Sequence, residues 1–341
     1  MPETWILSFY ESVTIYKNLL RPKLRNTMNR HLLAATDGSP NAHNSLKYIA
    51  GIYQDVPNID ITLISVAEPL PSFLTTGSRS FQAEKSRLTR LDDINKQRQQ
   101  ECAGILERGR ALLERNQFPA DHIHTKAVVQ SRSAVHDILS EVKRGKYDAL
   151  VVGRRGLGRL VSYFIGSVSY GLVQHLKNIA VWIIDDPIPS KHVLIAVDAC
   201  ESCLRVVDHA SFALAGIKDV KVTLFNVIPK FRPFISSEVS ATFEDVETII
   251  ASYSEKQIKN LLSKVNNIFR DAGFNPKSVE IKTKKGSTGV AQDIFAEYEK
   301  GGYGTLVTGR RGIGGWEAVF PGSVSNRLLH THTKGALWIV A

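Results

Sequence analysis

A glycine-rich stretch that occurs twice constrains the fold of this chain more than any other feature. It begins at Gly153 and again at Gly309, and in both copies Gly-Arg-Arg-Gly is followed by nine residues and then by Gly-Ser-Val-Ser. The same offset of 156 residues separates Gly166 from Gly322. Repeats in solenoid proteins run to about 20–50 residues. The spacing therefore indicates a duplicated domain.

The composition fits two ordinary domains. A length of 341 residues with 43% hydrophobic residues allows each half its own core. Three cysteines do not form a disulfide framework, no apolar run reaches the roughly 18 residues of a membrane span, and the first residues lack the positive cluster of a secretory signal. These features predict a cytoplasmic protein. The net charge is +10, but the basic residues are spread along the chain with acidic residues among them. This pattern favours a basic surface that attracts phosphates over a specific nucleic-acid interface.

Apolar segments typical of buried strands alternate with amphipathic segments typical of helices in both halves of the chain. Strands are predicted at 31–36, 61–66, 122–129, 147–152 and 180–184, and again at 193–197, 220–227, 279–284, 304–308 and 336–340. The main helices are predicted at 81–115, 134–143, 243–271 and 290–299. This alternation predicts two tandem doubly wound α/β domains, each with a parallel sheet covered by helices on both faces.

We place the first domain at 28–186, a proline-containing linker at 187–190 and the second domain at 191–341. The remaining residues, 1–27, form an extension with an apolar, partly helical pattern that ends in basic residues. It could be an amphipathic helix on a membrane or a partner. It could instead pack on the first domain, or the natural product could begin at Met28. We favour the last two alternatives over membrane contact.

The glycine stretch has the chemistry of a phosphate site. Glycines directly after a strand let the backbone approach a ligand, and Gly-Ser at the start of a helix offers N–H groups, a hydroxyl and the positive helix end. The predicted phosphate-binding residues are Gly153, Gly156, Gly166, Ser167, Val168 and Ser169 in the first domain and Gly309, Gly312, Gly322, Ser323, Val324 and Ser325 in the second. The spacing is neither that of a Walker P-loop nor that of the dinucleotide fingerprint, which follows the first strand of its unit.

Each glycine stretch also carries two arginines, Arg154 and Arg155 in the first copy and Arg310 and Arg311 in the second. Two roles are open for them, because arginine binds phosphates well but also lies on solvated loops. We include Arg155 and Arg311 among the predicted nucleotide-binding residues.

The two motifs give the chain a clear resemblance. It resembles a tandem universal stress protein of the ATP-binding branch, whose motif is Gly-x2-Gly-x9-Gly-Ser/Thr, over about residues 30–341. The resemblance implies an adenine nucleotide alpha hydrolase-like fold, with a five-stranded parallel sheet in each domain and ATP lying across the strand ends. It implies that Asp37 and Asp198 contact adenine and that Val66 and Val227 line the base. Mg²⁺ would enter only through the nucleotide phosphates, without a metal site of the protein's own.

The resemblance also implies a role. Such proteins respond to stress, and we expect a nucleotide-dependent switch or binding protein that acts on an unknown protein partner. Because the family commonly dimerises through its last strands, a tandem chain could form a pseudo-dimer internally, and a homodimer is a further option. The second copy has Asp198-Ala-Cys-Glu-Ser where the first has Asp37-Gly-Ser, so the first site is predicted to be the more dependable binder.

Two rival functions remain open at this stage. Cys200 and Cys203 form Cys-x-x-Cys between a strand and a helix, which could support thiol–disulfide exchange, although the rest of a thioredoxin-like pattern is missing. The chain could also be an interaction scaffold that binds no nucleotide. A dedicated enzyme is not expected, because neither motif contains a carboxylate–histidine pair, and slow ATP hydrolysis is the most that we predict. A zinc site is not expected either.

Overall fold

The fold is seen in a computed structural model of the chain. The structure describes residues 29–71, 81–129, 132–156, 165–186, 190–198, 203–228, 261, 263–285, 289–310, 323–331 and 334–341. The extension 1–27 and most of the predicted linker therefore lie outside the described residues. So do Cys200, Arg311, Gly312 and Gly322 among the residues singled out above.

The first half contains five strands and four α-helices within its described residues. The strands are β1 (Arg30–Ala35), β2 (Ile59–Val66), β3 (Ile123–Val128), β4 (Ala149–Gly153) and β5 (Ala180–Ile184). The helices are α1 (Pro40–Tyr53), α2 (Phe81–Arg115), α3 (Ala134–Arg144) and α4 (Ser167–His175).

The second half repeats the order. Its strands are β6 (His192–Val197), β7 (Lys221–Ile228), β8 (Val279–Lys285), β9 (Thr305–Gly309) and β10 (Ala336–Val340). Its helices are α5 (Cys203–Leu214), α6 (Val290–Lys300) and α7 (Ser323–Thr331), and residues 263–271 are also helical. Short 3₁₀ turns, Ala120–His122 and Pro276–Ser278, lead into β3 and β8.

The local sequence explains where these helices begin. The Ser39 side chain accepts a hydrogen bond from the Ala42 N–H at 3.2 Å, and Pro40 occupies the first turn of α1. At α3, Ser133 accepts from the His136 N–H at 3.1 Å. Serine is a favoured N-cap because its hydroxyl satisfies a donor that has no partner within the helix.

The ten strands form one sheet in the order β3-β2-β1-β4-β5-β10-β9-β6-β7-β8. Pairing is parallel within each half, and β5 pairs with β10 in antiparallel fashion, with Trp182 opposite Trp338. The predicted doubly wound α/β fold, in two tandem copies, is confirmed. The two halves share a continuous sheet because their last strands meet.

Apolar side chains alternate between two cores, one on each face of this sheet. Leu32 of β1 belongs to one core together with Leu46 of α1, whereas Leu33 belongs to the other together with Leu172 of α4. Helices therefore cover both faces, as the buried strands predict. Among the helices within the described ranges, none is long and apolar enough to cross a membrane.

The strand predictions agree with the structure to within two residues at most boundaries. The predicted helix 81–115 is α2. The predicted helix 243–271 is seen over 263–271, and its first part lies outside the described residues.

Candidate functional site

The first glycine stretch lies at the topological switch point of its domain. Strands β1 and β4 are neighbours, and the helices that follow them, α1 and α4, pack on opposite faces of the sheet. The chain therefore diverges at the carboxyl ends of β1 and β4 and leaves a crevice there. In open α/β sheets this crevice is where ligands bind.

Asp37 and Gly156 meet in this crevice. A Cβ atom added at Gly156 would lie 2.4 Å from Asp37 Oδ2 and 3.6 Å from Asp37 Cγ. The carboxylate is oriented by its own turn, because Asp37 Oδ1 accepts a hydrogen bond from the Ser39 N–H at 2.9 Å. The structure therefore brings together a residue predicted at the base and a residue predicted at the phosphates.

Close backbone contacts hold the rest of the loop. A Cβ atom at Gly153 would lie 2.7 Å from the carbonyl carbon of Asn41, in the first turn of α1. The Gly166 N–H donates to the Arg154 carbonyl at 2.9 Å, and the buried Ser169 hydroxyl donates to the Gly153 carbonyl at 2.8 Å. The hydroxyl of Ser169, a residue predicted to bind phosphate, thus binds the carbonyl at the end of β4.

The beginning of α4 faces outwards beside this loop. Gly166 is the N-cap and supplies no side-chain hydrogen bond to the first turn. Ser167 and Val168 follow it and are exposed, Val168 at 36%. The first N–H groups of a helix have no partner within the helix and form a natural anion site. The first turn of α4 is therefore accessible to a ligand at the crevice.

The two arginines of the first motif point in different directions. Arg155 lies 3.8 Å from a carboxylate oxygen of Asp185, at the end of β5. Burial raises the pKa of Asp185, and the positive charges of Arg154 and Arg155 oppose that rise. Arg154 is 1% exposed and donates to the carbonyl of His330, so it is turned towards the second domain and not to solvent.

Two residues of α2 also border the crevice and were missed from the sequence. A Cβ atom at Gly38, whose φ is +76°, would lie 3.3 Å from Ile105 and 3.9 Å from Arg108 Nη2. No local signal marks them, because α2 carries many charged side chains at similar spacing. Asp185 could have been found, since it directly follows the last strand of the domain.

The described part of the second site repeats this arrangement. The Ser325 hydroxyl donates to the Gly309 carbonyl, as Ser169 does to Gly153. Asp198 follows β6, and the Asn226 side chain donates to the neighbouring Val197 carbonyl at 3.0 Å. Among the other predicted residues, Val66 and Val227 lie at the carboxyl ends of β2 and β7, Ser323 begins α7, and Val324 follows it.

The structure describes one member of the Cys-x-x-Cys pair, Cys203. Cys203 is buried, at 3% exposure, in the core beneath α5, and buried apolar surroundings make a thiol inert. No group of three or more histidine, cysteine or acidic side chains in the described ranges could hold a metal ion. His330 is exposed at the end of α7.

Comparison with known proteins identifies the family of the chain. The model of the universal stress protein family matches the chain twice, over residues 28–184 and 189–340. The chain belongs to the universal stress protein family. Its two copies of the family domain follow each other in tandem, as the resemblance predicted. No curated protein matches the chain in a sequence comparison.

Solved structures show the same fold over more than nine-tenths of the chain. A universal stress protein from Archaeoglobus fulgidus is 18% identical, with a TM-score of 0.56, and the match covers 91% of this chain and 97% of that one. A functionally unknown protein from Pseudomonas aeruginosa is 14% identical, with a TM-score of 0.54, and the match covers 93% and 94%. At these identities the likeness concerns the fold alone.

Proposed function

We propose that this universal stress protein binds an adenine nucleotide, ATP with Mg²⁺, at the switch point of one or both domains. One observation carries the proposal: Asp37, Gly156 and the exposed first turn of α4 converge at the carboxyl ends of β1 and β4. Nucleotide occupancy would then act as a signal to a protein partner in the stress response.

The residues fit the two ends of a nucleotide. The N–H groups of Ser167 and Val168 stand at the positive end of α4, where a phosphate is favoured by the helix dipole and by direct hydrogen bonds. Asp37 is a carboxylate, which accepts several hydrogen bonds and so can take donors from the exocyclic amine of adenine. The Mg²⁺ ion would be held by the phosphates of the nucleotide.

Glycine leaves room for close neighbours at two positions of the site. At Gly156 a larger residue would press on Asp37, and at Gly153 it would press on the backbone of α1. These close approaches give a reason for the glycines of the motif. Arg155 would reach phosphate only by sharing or leaving Asp185, so its contribution to affinity is expected to be smaller.

The test begins with the purified chain. Denaturation, followed by identification of any released nucleotide and its ratio to protein, is expected to yield one or two adenine nucleotides per chain. A chain that neither releases a nucleotide nor takes up added ATP with Mg²⁺ in a calorimetric titration would refute the proposal. ADP, AMP and GTP in the same titration would define which base and how many phosphates are recognised.

A further inference from the structure

The first arginine of each glycine stretch has the same backbone position in the two domains. The Arg154 N–H donates to the Ile184 carbonyl at 2.8 Å, and the Arg310 N–H donates to the Val340 carbonyl at 2.8 Å. In the first domain the Arg154 carbonyl also accepts from the Gly166 N–H. The backbone of this arginine is therefore part of the loop that forms the proposed phosphate site.

Its side chain, however, reaches the other domain. Arg154 Nη2 donates to the His330 carbonyl at 3.3 Å, and Arg310 Nη2 donates to the Gln174 carbonyl at 2.6 Å. Arg310 Nη1 also donates to the Leu176 carbonyl. His330 and Gln174 are related by the same 156-residue offset as the two arginines. We name this pair of contacts, Arg154 to His330 and Arg310 to Gln174 and Leu176, the arginine crossover.

All three acceptor carbonyls lie at the end of a helix that begins at the opposite phosphate site. Gln174 and Leu176 close α4, which starts at Ser167, and His330 closes α7, which starts at Ser323. The last carbonyls of a helix lack partners within it, and a cation there is favoured by the helix dipole. A phosphate at the first turn of the same helix would be favoured by the same dipole.

The helix between these two ends is short. Helices α4 and α7 have nine residues each, so the two ends of each helix are about 14 Å apart at about 1.5 Å per residue. Such a helix moves as one element, and α4 and α7 also touch, because the rings of Tyr170 and His330 lie 5.9 Å apart. A shift of the glycine loop in one domain would therefore displace the phosphate-binding helix of the other domain.

We propose that the arginine crossover couples the two sites: Arg310 is a positioning residue for the phosphate site of the first domain, and Arg154 is one for the second. The inference rests on the proposed function and adds a regulation of the same site. Occupancy of one site changes the affinity of the other, because each loop holds the far end of its neighbour's phosphate-binding helix.

Another arginine offers a matched control. Arg30 is 3% exposed and donates to the carbonyls of Phe212, in the last turn of α5, and of Ala215, just after α5, at 2.8 and 2.7 Å. It shares the chemistry, the burial and the cross-domain contact of Arg154. It lies at the amino end of β1, however, and touches neither glycine stretch nor α4 nor α7 in the contacts described.

The first experiment needs no nucleotide. Hydrogen exchange is measured on the full chain and on Arg154→Ala, Arg310→Ala and Arg30→Ala, with Arg154→Lys and Arg310→Lys as milder variants. Arg310→Ala is expected to speed exchange in α4, and Arg154→Ala in α7, while Arg30→Ala affects α5. Equal effects on all three helices in every variant, or no effect on the opposite helix, would overturn the crossover.

The second experiment measures ATP with Mg²⁺ at the first site alone, in chains whose second site is disabled by Ser323→Asp. Arg310→Ala is expected to weaken binding about fivefold, at the lower end of allosteric couplings, and Arg310→Lys to recover part of the loss. Arg30→Ala should leave the affinity unchanged. Unchanged affinity in Arg310→Ala would overturn the positioning role.

The two proposals fail in different ways. If the unaltered chain takes up no ATP, the proposed function falls, whereas the exchange pattern still decides whether the arginines act on the opposite helices. If ATP binds but Arg310→Ala and Arg30→Ala behave alike, the function stands and the coupling falls.

Discussion

A single added charge at Ser167 gives the sharpest test of the phosphate site. Ser167 is the first residue of α4 and is exposed, so an aspartate there has room and meets no buried neighbour. A carboxylate in the first turn of a helix stabilises it by about 0.3–1 kcal/mol. The same carboxylate would stand where phosphate is proposed to bind. Ser167→Asp is therefore expected to stabilise the fold while it weakens nucleotide binding, so a loss of affinity cannot be attributed to unfolding.

The size of the binding loss follows from the charges. Two unit charges about 5 Å apart repel by about 1 kcal/mol in water and by about 3 kcal/mol at an effective dielectric constant of about 20. Since Ser167 is exposed, we take the lower half of this range. A penalty of about 1.4 kcal/mol is a tenfold loss of affinity, and a second phosphate nearby would increase it.

The assay is a calorimetric titration of ATP with Mg²⁺ together with a thermal unfolding curve. Ser323→Asp is present in every chain so that only the first site is read. Ser167→Asn is the matched control, since it has nearly the same shape as aspartate without the charge. A folded aspartate variant that binds ATP as tightly as the asparagine variant would refute the phosphate assignment of α4.

Three further predictions follow from contacts elsewhere in the structure. Burial at the domain junction lowers the pKa of His209 to about 4, below its ordinary value, so the unfolded chain binds more protons between about pH 4 and 6.5. The free energy of unfolding should decrease as the pH drops through that window, by less than about 3 kcal/mol because His209 is partly exposed. His209→Gln should remove this dependence of stability on pH. Gly153→Ala presses on the backbone of α1 and should cost about 1–3 kcal/mol in chemical denaturation. Gly156→Ala meets only the movable end of Asp37, so it should cost little stability but weaken ATP binding; equal stability losses in the two alanine variants would contradict this. Trp338 stacks on Trp182 at 3.8 Å, and Trp338→Ala should cost about 3–5 kcal/mol in the same denaturation.

Most of the fold could be predicted from the sequence because its signals are local. Buried strands such as Ala149–Gly153 are continuous apolar runs, and helix starts such as Ser39-Pro40 carry their own caps. Because the domain is duplicated, the same order of strands and helices could be predicted from each half of the sequence independently. That Asp37 and Gly156 lie at the same edge of the sheet could also be predicted, because each follows a parallel strand. Their contact depends in addition on β1 and β4 being neighbours, which the structure shows.

The residues that could not be predicted depend on contacts distant in sequence. Arg154 and Arg155 are adjacent and chemically equal, yet one is buried against the second domain and the other faces Asp185. Which of them turns inwards depends on how β5 meets β10, and no local pattern shows that. Arg108 likewise approaches Gly38 only because α2 packs against α1 and β2, which are distant from it in sequence.

The antiparallel pairing of the last strands explains why the two sites meet in this way. Trp182 and Trp338 are equivalent residues of the two halves and lie opposite each other, so an approximate two-fold axis passes between them. In such an interface a contact from one half to the other recurs in reverse, as in a symmetric dimer. The arginine crossover is one such reciprocal contact, whereas Arg30 has Lys191 at the matching position and makes a contact on one side only. Because both halves belong to one chain, the two sites can differ in sequence while the pairing that connects them is kept. In a homodimer of single domains the two sites cannot differ in sequence, because every substitution appears in both subunits.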